Sequence, residues 1–418
     1  MIKFRSNLSS LEKYWILYDV GNSAFIMLVS TIIPIYFKNI TAANGVSQAN
    51  STAYWGYAIS ISTLIVAILA PTLGTLADTK GYKKPLFTLF LMMGVLGCAA
   101  LSIPMMWIIF LVVFIIAKVG VSASLVFYDA MLSDVTTDER MDMLSSLGYA
   151  WGYIGSCIPF VISLILILSA EKFNITSAEA TGIAFLINAV WWFLVTVPLL
   201  KNYKQVHYVE VEKHAFANAF KRLGNTFKDI KHQKEIFTFL LAFFFYIDGV
   251  YTIIEMATSY GKDVGISDNN LLLALLLTQV VAFPFAILFG KLSKKYKTKD
   301  LIGFCIGGYF FIALFALQLD KAWEFWFLAV CVAMFQGAIQ ALSRSYYAKI
   351  IPKEKSSEYF GFFDIFGKGA SFTGTMLMGI TTQISGSSKT GVAFISLMFV
   401  VGYLMFKKAA TMQKIESV

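Results

Sequence analysis

Eight ionisable side chains stand inside long apolar runs: Asp19, Lys118, Asp129, Asp248, Glu255, Arg344, Asp364 and Lys368. An isolated charge at the centre of a bilayer is unfavourable by at least ~2.5–3.5 kcal/mol, so such groups pair, line a water-filled cavity, or bind a charged solute or a proton. Helical spacing sorts them into stripes. Lys118, Ser122, Leu125 and Asp129 share a face, as do Asp248, Thr252 and Glu255. Gln336, Gln340 and Ser343 form another, with Arg344 beside them. Asp364, Lys368, Ser371 and Thr375 form a fourth, and Ser145, Tyr149, Gly152 and Ser156 a fifth. The i, i+4 spacing of Asp364 and Lys368 suits mutual neutralisation as well as it suits ligand binding. The chemistry on offer is binding and charge exchange. His207, His214 and His232 all fall in one polar stretch, which argues against a histidine-based catalytic group or an intramembrane metal site, and no cofactor is implied. The glycine-rich stretches lack the GxxxxGK[ST] phosphate loop, so an ATP-driven pump is not indicated.

The elements that carry these stripes follow from composition. The chain has 418 residues, 58% hydrophobic and 14% charged, against roughly 25% charged in ordinary soluble domains. One aqueous core cannot absorb that much apolar side chain, so a polytopic membrane protein is expected, and a soluble enzyme is not. Runs of the roughly 20 apolar residues needed to cross a bilayer number twelve: 14–37, 53–77, 84–103, 106–130, 143–169, 181–200, 236–260, 270–290, 300–318, 323–346, 357–383 and 391–408. The first run is too long for a secretory signal, lacks a small-residue cleavage site, and reads as a retained helix. Cys98, Cys157, Cys305 and Cys331 lie in apolar runs with no CxxC pair and read as small core residues.

Charge bias sets the expected orientation. With the N-terminus inside, 26 of the 34 Lys and Arg fall on inner segments and five on outer loops, the other three being Lys118, Arg344 and Lys368. Both termini are therefore expected in the cytoplasm. The net charge of +9 is then a matter of topology, not a nucleic-acid footprint. The chain also repeats. Gly74-Thr75-Leu76 and Gly290-Lys291-Leu292 each end a span before a basic loop, and Phe127-Tyr128-Asp129-Ala130 aligns with Tyr346-Tyr347-Ala348. Two parallel six-helix halves, 1–200 and 236–418, are expected, a known transporter arrangement. The segment 201–235 joins them, and Phe216, Phe220, Leu223, Phe227 and Ile230 suggest an amphipathic helix on the inner leaflet.

Several motifs carry a resemblance. Gly74-x-Leu76-Ala77-Asp78-x-x-Gly81-x-Lys83-Lys84 resembles the loop signature of the major facilitator superfamily, departing from it at Thr79 and Tyr82, where basic residues are usual. Tyr18-Asp19-Val20-Gly21-Asn22-Ser23-Ala24-Phe25, Gly148 to Gly155, Tyr246-Ile247-Asp248-Gly249 and Gln340-Ala341-Leu342-Ser343-Arg344-Ser345 resemble the vacuole-effluxer family, the bacterial relatives of the fungal autophagy-linked amino-acid effluxer. The likeness spans nearly the whole chain. It implies an all-α, twelve-helix alternating-access carrier in a bacterial plasma membrane. It also implies that the stripes face one central cavity.

Expected substrate or ion contacts are Asp19, Asn22, Lys118, Tyr149, Asp248, Thr252, Glu255, Gln336, Gln340 and Lys368. Expected gate residues are Gly74, Asp78, Gly81, Lys83, Asp129, Arg344 and Asp364, with Asp78 pairing with a neighbouring helix end as the superfamily pattern implies. The expected function is secondary transport of a small organic solute, first an amino acid or related amphiphile, with protons as a possible partner through Asp248. A monomer among membrane lipids is expected. The alternatives are a transporter-shaped ligand sensor and a lipid or lysolipid transporter.

Overall fold

The computed structural model describes residues 8–210, 228, 230–263, 266, 268–385 and 388–412. The proposed amphipathic helix at Phe216, Phe220, Leu223 and Phe227, and His214 with it, lie outside the described residues.

Helices dominate the chain. Before the linker come α1 (Ser10–Ser30), α2 (Ile32–Ala43), α3 (Gln48–Ala77), α4 (Lys83–Ala100), α5 (Trp107–Ala130), the single turn α6 (Leu132–Val135), α7 (Asp138–Leu168) and α8 (Ser177–Asn202). After it come α9 (Lys234–Asp263), α10 (Asp268–Leu292), α11 (Thr298–Ala316), α12 (Ala322–Ile350), α13 (Ser356–Ser385) and α14 (Ser388–Met412).

Local chemistry explains several boundaries. Ser9 accepts the Glu12 N–H at 3.1 Å while Glu12 accepts the Ser9 N–H at 2.7 Å, a reciprocal cap that starts α1. The helix breaks after Ser30 because Pro34 offers no N–H to the Ser30 carbonyl and its ring crowds it. The Ser30 hydroxyl also bonds back to the Ile26 carbonyl at 2.8 Å. Such back-bonding bends helices. Thr176 and Glu179 repeat the reciprocal cap at α8.

Among the described residues, eleven helices or helix pairs are long and apolar enough to cross a membrane, α1–α2 read as one span being one of them. They follow the expected runs within a few residues. The long helix α13 is not among the eleven; it carries Glu358, Asp364 and Lys368. Large apolar side chains such as Leu64, Ile68, Leu89 and Phe311 are mostly exposed, an outer surface that suits lipid and not water. Inside, small residues let helices touch. A Cβ on Gly120 would come within 2.8 Å of the Gly94 Cα, so α4 and α5 meet backbone to backbone.

The helices before the linker pack on one another, as α1 does on α7 and α8 and α4 on α5. Those after it do likewise, as α9 does on α13 and α14 and α10 on α12. The two groups meet where α3 packs on α13 and α7 on α10 and α12. The bonds that join them cluster at the end carrying the linker, here called the linker face.

Candidate gate and solute cavity

At the linker face the chain turns from α3 into α4 through 78–82, with Gly81 in the left-handed region at φ +83°. Asp78 caps a helix from the other group. Its two carboxylate oxygens accept the N–H groups of Ser357 and Glu358 at 2.8 and 2.9 Å, at the start of α13. The approach depends on Gly74, because a Cβ there would collide with the Ser357 carbonyl group and lie 2.9 Å from the Glu358 Cα. Burial pushes the Asp78 carboxyl up to about 7, against the pull of Lys83 and the two backbone donors.

Lys83 is fully buried and ties three elements together. Its Nζ is 2.9 Å from the Ser356 hydroxyl, 3.2 Å from Asp134 and 3.9 Å from Asp78. Asp134, on α6, also accepts the Tyr203 hydroxyl at 2.5 Å and the His207 N–H at 2.8 Å, with the His207 ring Nδ1 at 3.0 Å. Burial works to raise its carboxyl, but Lys83 and these donors outweigh it and hold it below the ordinary carboxylate range. The start of the linker is thereby strapped to the gate. Val209 donates to the Asp78 carbonyl at 2.8 Å and accepts from Lys80 at 3.0 Å, and Gly81 donates to the Gln205 side chain at 2.9 Å.

Further ties lie nearby: Lys349 and Thr298 both reach Asp142, and Lys353 reaches Asp138. Arg140 grips Glu12 at 2.7 Å within the first group. None of Asp134, Asp142, Tyr203 or His207 was among the expected site residues. Their partners stand tens to hundreds of positions away, and helical phase within one segment carries no sign of which segment it will meet.

Deeper in, Arg344 of α12 bridges the groups. Its guanidinium donates to Asp129 at 3.0 Å, Asp19 at 3.4 Å, the Ser145 hydroxyl at 2.8 Å and the Ser145 carbonyl at 3.0 Å. It stacks over Tyr149 at 4.5 Å and Trp15 at 4.8 Å. The fork geometry explains why arginine fits, since a lysine could not serve three partners in one plane. Two expected solute contacts, Asp19 and Tyr149, thus stand with the expected gate residues Asp129 and Arg344. Asn22 donates to the Tyr18 carbonyl at 2.9 Å and sits 3.4 Å from Asp19.

The remaining candidates lie elsewhere. Lys118, half-buried in α5, makes no hydrogen bond or ion pair among the described residues, and the charges bearing on it are Lys368 and Glu255. Lys368 is bound to Asp364 at 2.6 Å. Asp248 is fully buried in α9, where its Oδ1 accepts the Gly374 N–H of α13 at 2.8 Å and the Thr252 hydroxyl at 3.3 Å. Its Oδ2 has no hydrogen-bond partner among the described residues. Glu255 is exposed. Gln340 donates to the Gln336 carbonyl one turn back at 3.1 Å. No group of three or more His, Cys, Asp or Glu suited to a metal is found among the described residues.

An all-helical membrane protein with buried charges bridging two helix groups is the arrangement of the major facilitator fold, and solved structures bear this out. FucP in the outward conformation matches with TM-score 0.73 at 14% identity, covering 96% of this chain and 97% of that one. The human organic anion transporter MFSD10 (TETRAN) matches with TM-score 0.72 at 12% identity, covering 95% and 98%. The chain belongs to the vacuole effluxer Atg22-like family, whose profile matches residues 10–143 and 133–415. It is 46% identical over 399 residues to an uncharacterized MFS-type transporter, YxiO, of Bacillus subtilis (strain 168), covering 94% of this chain and 93% of that one. It is 22% identical over 475 residues to autophagy-related protein 22 of Saccharomyces cerevisiae (strain ATCC 204508 / S288c), covering 93% and 89%. These relatives and neighbours are transporters and not enzymes.

Proposed function

We propose that this protein is a twelve-helix secondary transporter with both termini in the cytoplasm, moving a small organic solute by alternating access. The observation that carries the reading is Lys118: a half-buried cation within the span α5, with no hydrogen bond or ion pair among the described residues. A membrane protein keeps such a group where a ligand completes it. The carboxylate of an amino acid or related amphiphile supplies the missing charge. Asp248, in the opposite group of helices and with one oxygen that has no hydrogen-bond partner among the described residues, is the companion site for a proton or for the ammonium end of the solute.

In this reading residues 1–200 and 236–418 are the two halves, and 201–235 is the linker on the cytoplasmic side. The gate at Asp78, Lys83 and Asp134 and the Arg344 cluster then close the cytoplasmic end and leave the solute path facing outward. Reversal requires Asp78 to release α13 and Arg344 to release Asp19 and Asp129. A sensor that binds without moving its ligand would share the charges but gain nothing from two bonded closures at one end.

The test is transport by purified protein in liposomes against a panel of radiolabelled amino acids under an imposed pH gradient. Asp248→Asn should abolish gradient-driven accumulation and keep solute exchange. Accumulation that survives the substitution would show Asp248 to be structural and the proton assignment wrong.

A further inference from the structure

The helices after the linker border a partly open hollow of their own. It measures about 130 Å³, and every residue that lines it falls between Thr252 and Ile395, so no helix before the linker borders it. It runs from Thr252 and Gln336, midway along α9 and α12, to Leu319 and Phe325 at the ends remote from the linker face. Its lining is mostly aliphatic and contains no ionisable acid or base apart from the Tyr260 phenol. That phenol is tied to the Ala316 carbonyl at 2.6 Å. The space exists because alanines stand where larger side chains would fill it, Ala274 on α10 and Ala329 on α12 among them.

Protein interiors are close-packed, and a void of this size with such walls is unusual. Cavities of about 150 Å³ lined by Leu, Ile and Phe stay dry and take benzene or xenon. A charged group would lose its hydration here with nothing in exchange. The polar side chains of the lining, apart from the Tyr260 phenol, stand midway along their helices: Thr252, whose hydroxyl bonds Asp248 at 3.3 Å, Thr278, whose hydroxyl bonds the Leu275 carbonyl at 2.6 Å, Gln279 and Gln336.

The geometry points to a subsite in which α9, α10, α11, α12, α13 and α14 hold a compact, uncharged, ring-sized apolar group of the transported solute. The polar part of that solute lies beyond Thr252 and Gln336. The assignment rests on the transporter reading and narrows it. Sugars, which have no such group, are excluded. Because the subsite belongs to one helix group alone, it keeps its shape while the groups rock against each other. The solute then stays anchored on one side as the opposite side opens.

The test uses full-length protein with a single cysteine added, Ala329→Cys or the near-isosteric Thr278→Cys, and peptide mass spectrometry to read modification at that position. Benzyl methanethiosulfonate should label either cysteine, and the trimethylammonium-ethyl reagent should not. Benzyl alcohol, an unreactive ring, should slow labelling about tenfold. The same alcohol should leave labelling of Leu288→Cys, on the lipid-exposed side of α10, unchanged. Adding Ala274→Val, which fills the hollow, should remove the protection. Absence of protection in both cysteine variants, or equal labelling by the charged reagent, overturns the subsite. The labelling needs no transport, so failure here with solute exchange intact rejects the subsite alone. Protection without exchange rejects the transporter reading and keeps the pocket.

Discussion

Gly74→Ala isolates the gate because the new methyl meets only backbone. The Cβ would lie 2.8 Å from the Ser357 carbonyl carbon, with its oxygen closer still, whereas ordinary contact begins at 3.4 Å. Side chains can rotate away from a methyl, but the backbone of α13 cannot. Helices α3 and α13 must therefore separate by about 0.6 Å or more. Asp78 moves with α3, so its bonds to Ser357 and Glu358 stretch from 2.8 and 2.9 Å to about 3.4 and 3.5 Å, the edge of hydrogen bonding. Above about pH 7, where the Asp78 carboxyl is ionised, each bond to it contributes ~1.5–3 kcal/mol. Losing both shifts the equilibrium against the closed linker face by about a hundredfold or more. The assay is a spin-label distance distribution between Glu139→Cys and Glu354→Cys, exposed positions on the two groups. Wild type should show one short population, and Gly74→Ala a dominant longer one. Gly81→Ala is the control: its Cβ meets nothing within 4 Å and the substitution strains only φ +83°. It should destabilise the turn by ~1 kcal/mol and move the distribution little. Unchanged distances in Gly74→Ala would show that the close approach of α3 to α13 does not hold the linker face shut.

Two further outcomes follow from the same geometry. The Asp78 carboxyl is raised in the closed form to about 7, above its ordinary value of ~3.9 when exposed. The closed form therefore binds the extra proton: its stabilisation is complete below about pH 4 and is lost as pH rises through about 7. The spin-label population should open with rising pH in wild type and lose that dependence in Asp78→Asn; an unchanged pH dependence in the variant would assign it to another group. For topology, Gly45→Cys, in the exposed turn between α2 and α3, should react with an impermeant thiol reagent added outside cells. Lys204→Cys, at the linker face, should react only after lysis, and the reverse pattern would invert the orientation.

The apolar runs were readable because a bilayer imposes a length, and capped ends such as Ser9–Glu12 sharpen it. The short-range pair Asp364–Lys368 was visible as a possibility in its i, i+4 spacing. The three-way grip on Arg344 was not, since Asp19, Asp129 and Ser145 come from three different helices and share no local pattern with it. Asp19 reads as a solute contact because it is an ionisable group inside an apolar run, yet the run does not say which side chain of another helix will face it. The strap at Gln205, His207 and Val209 is a chance reading from sequence at best: its bonds are mostly main-chain, and main-chain donors leave no compositional trace. The hollow among the later helices was invisible for a related reason, because an alanine in an apolar run looks the same whether or not a neighbour fills the space beside it.

A carrier of this kind moves its solute through a site that the solute itself completes, and counterflow measures that movement directly. Liposomes carrying the purified protein are loaded with an unlabelled amino acid and diluted into a trace of the labelled one. Label should accumulate transiently, dependent on the internal load and strongly reduced in Lys118→Ala. Saturable binding of the same amino acid with no accumulation would contradict it and leave a protein that senses its ligand without carrying it.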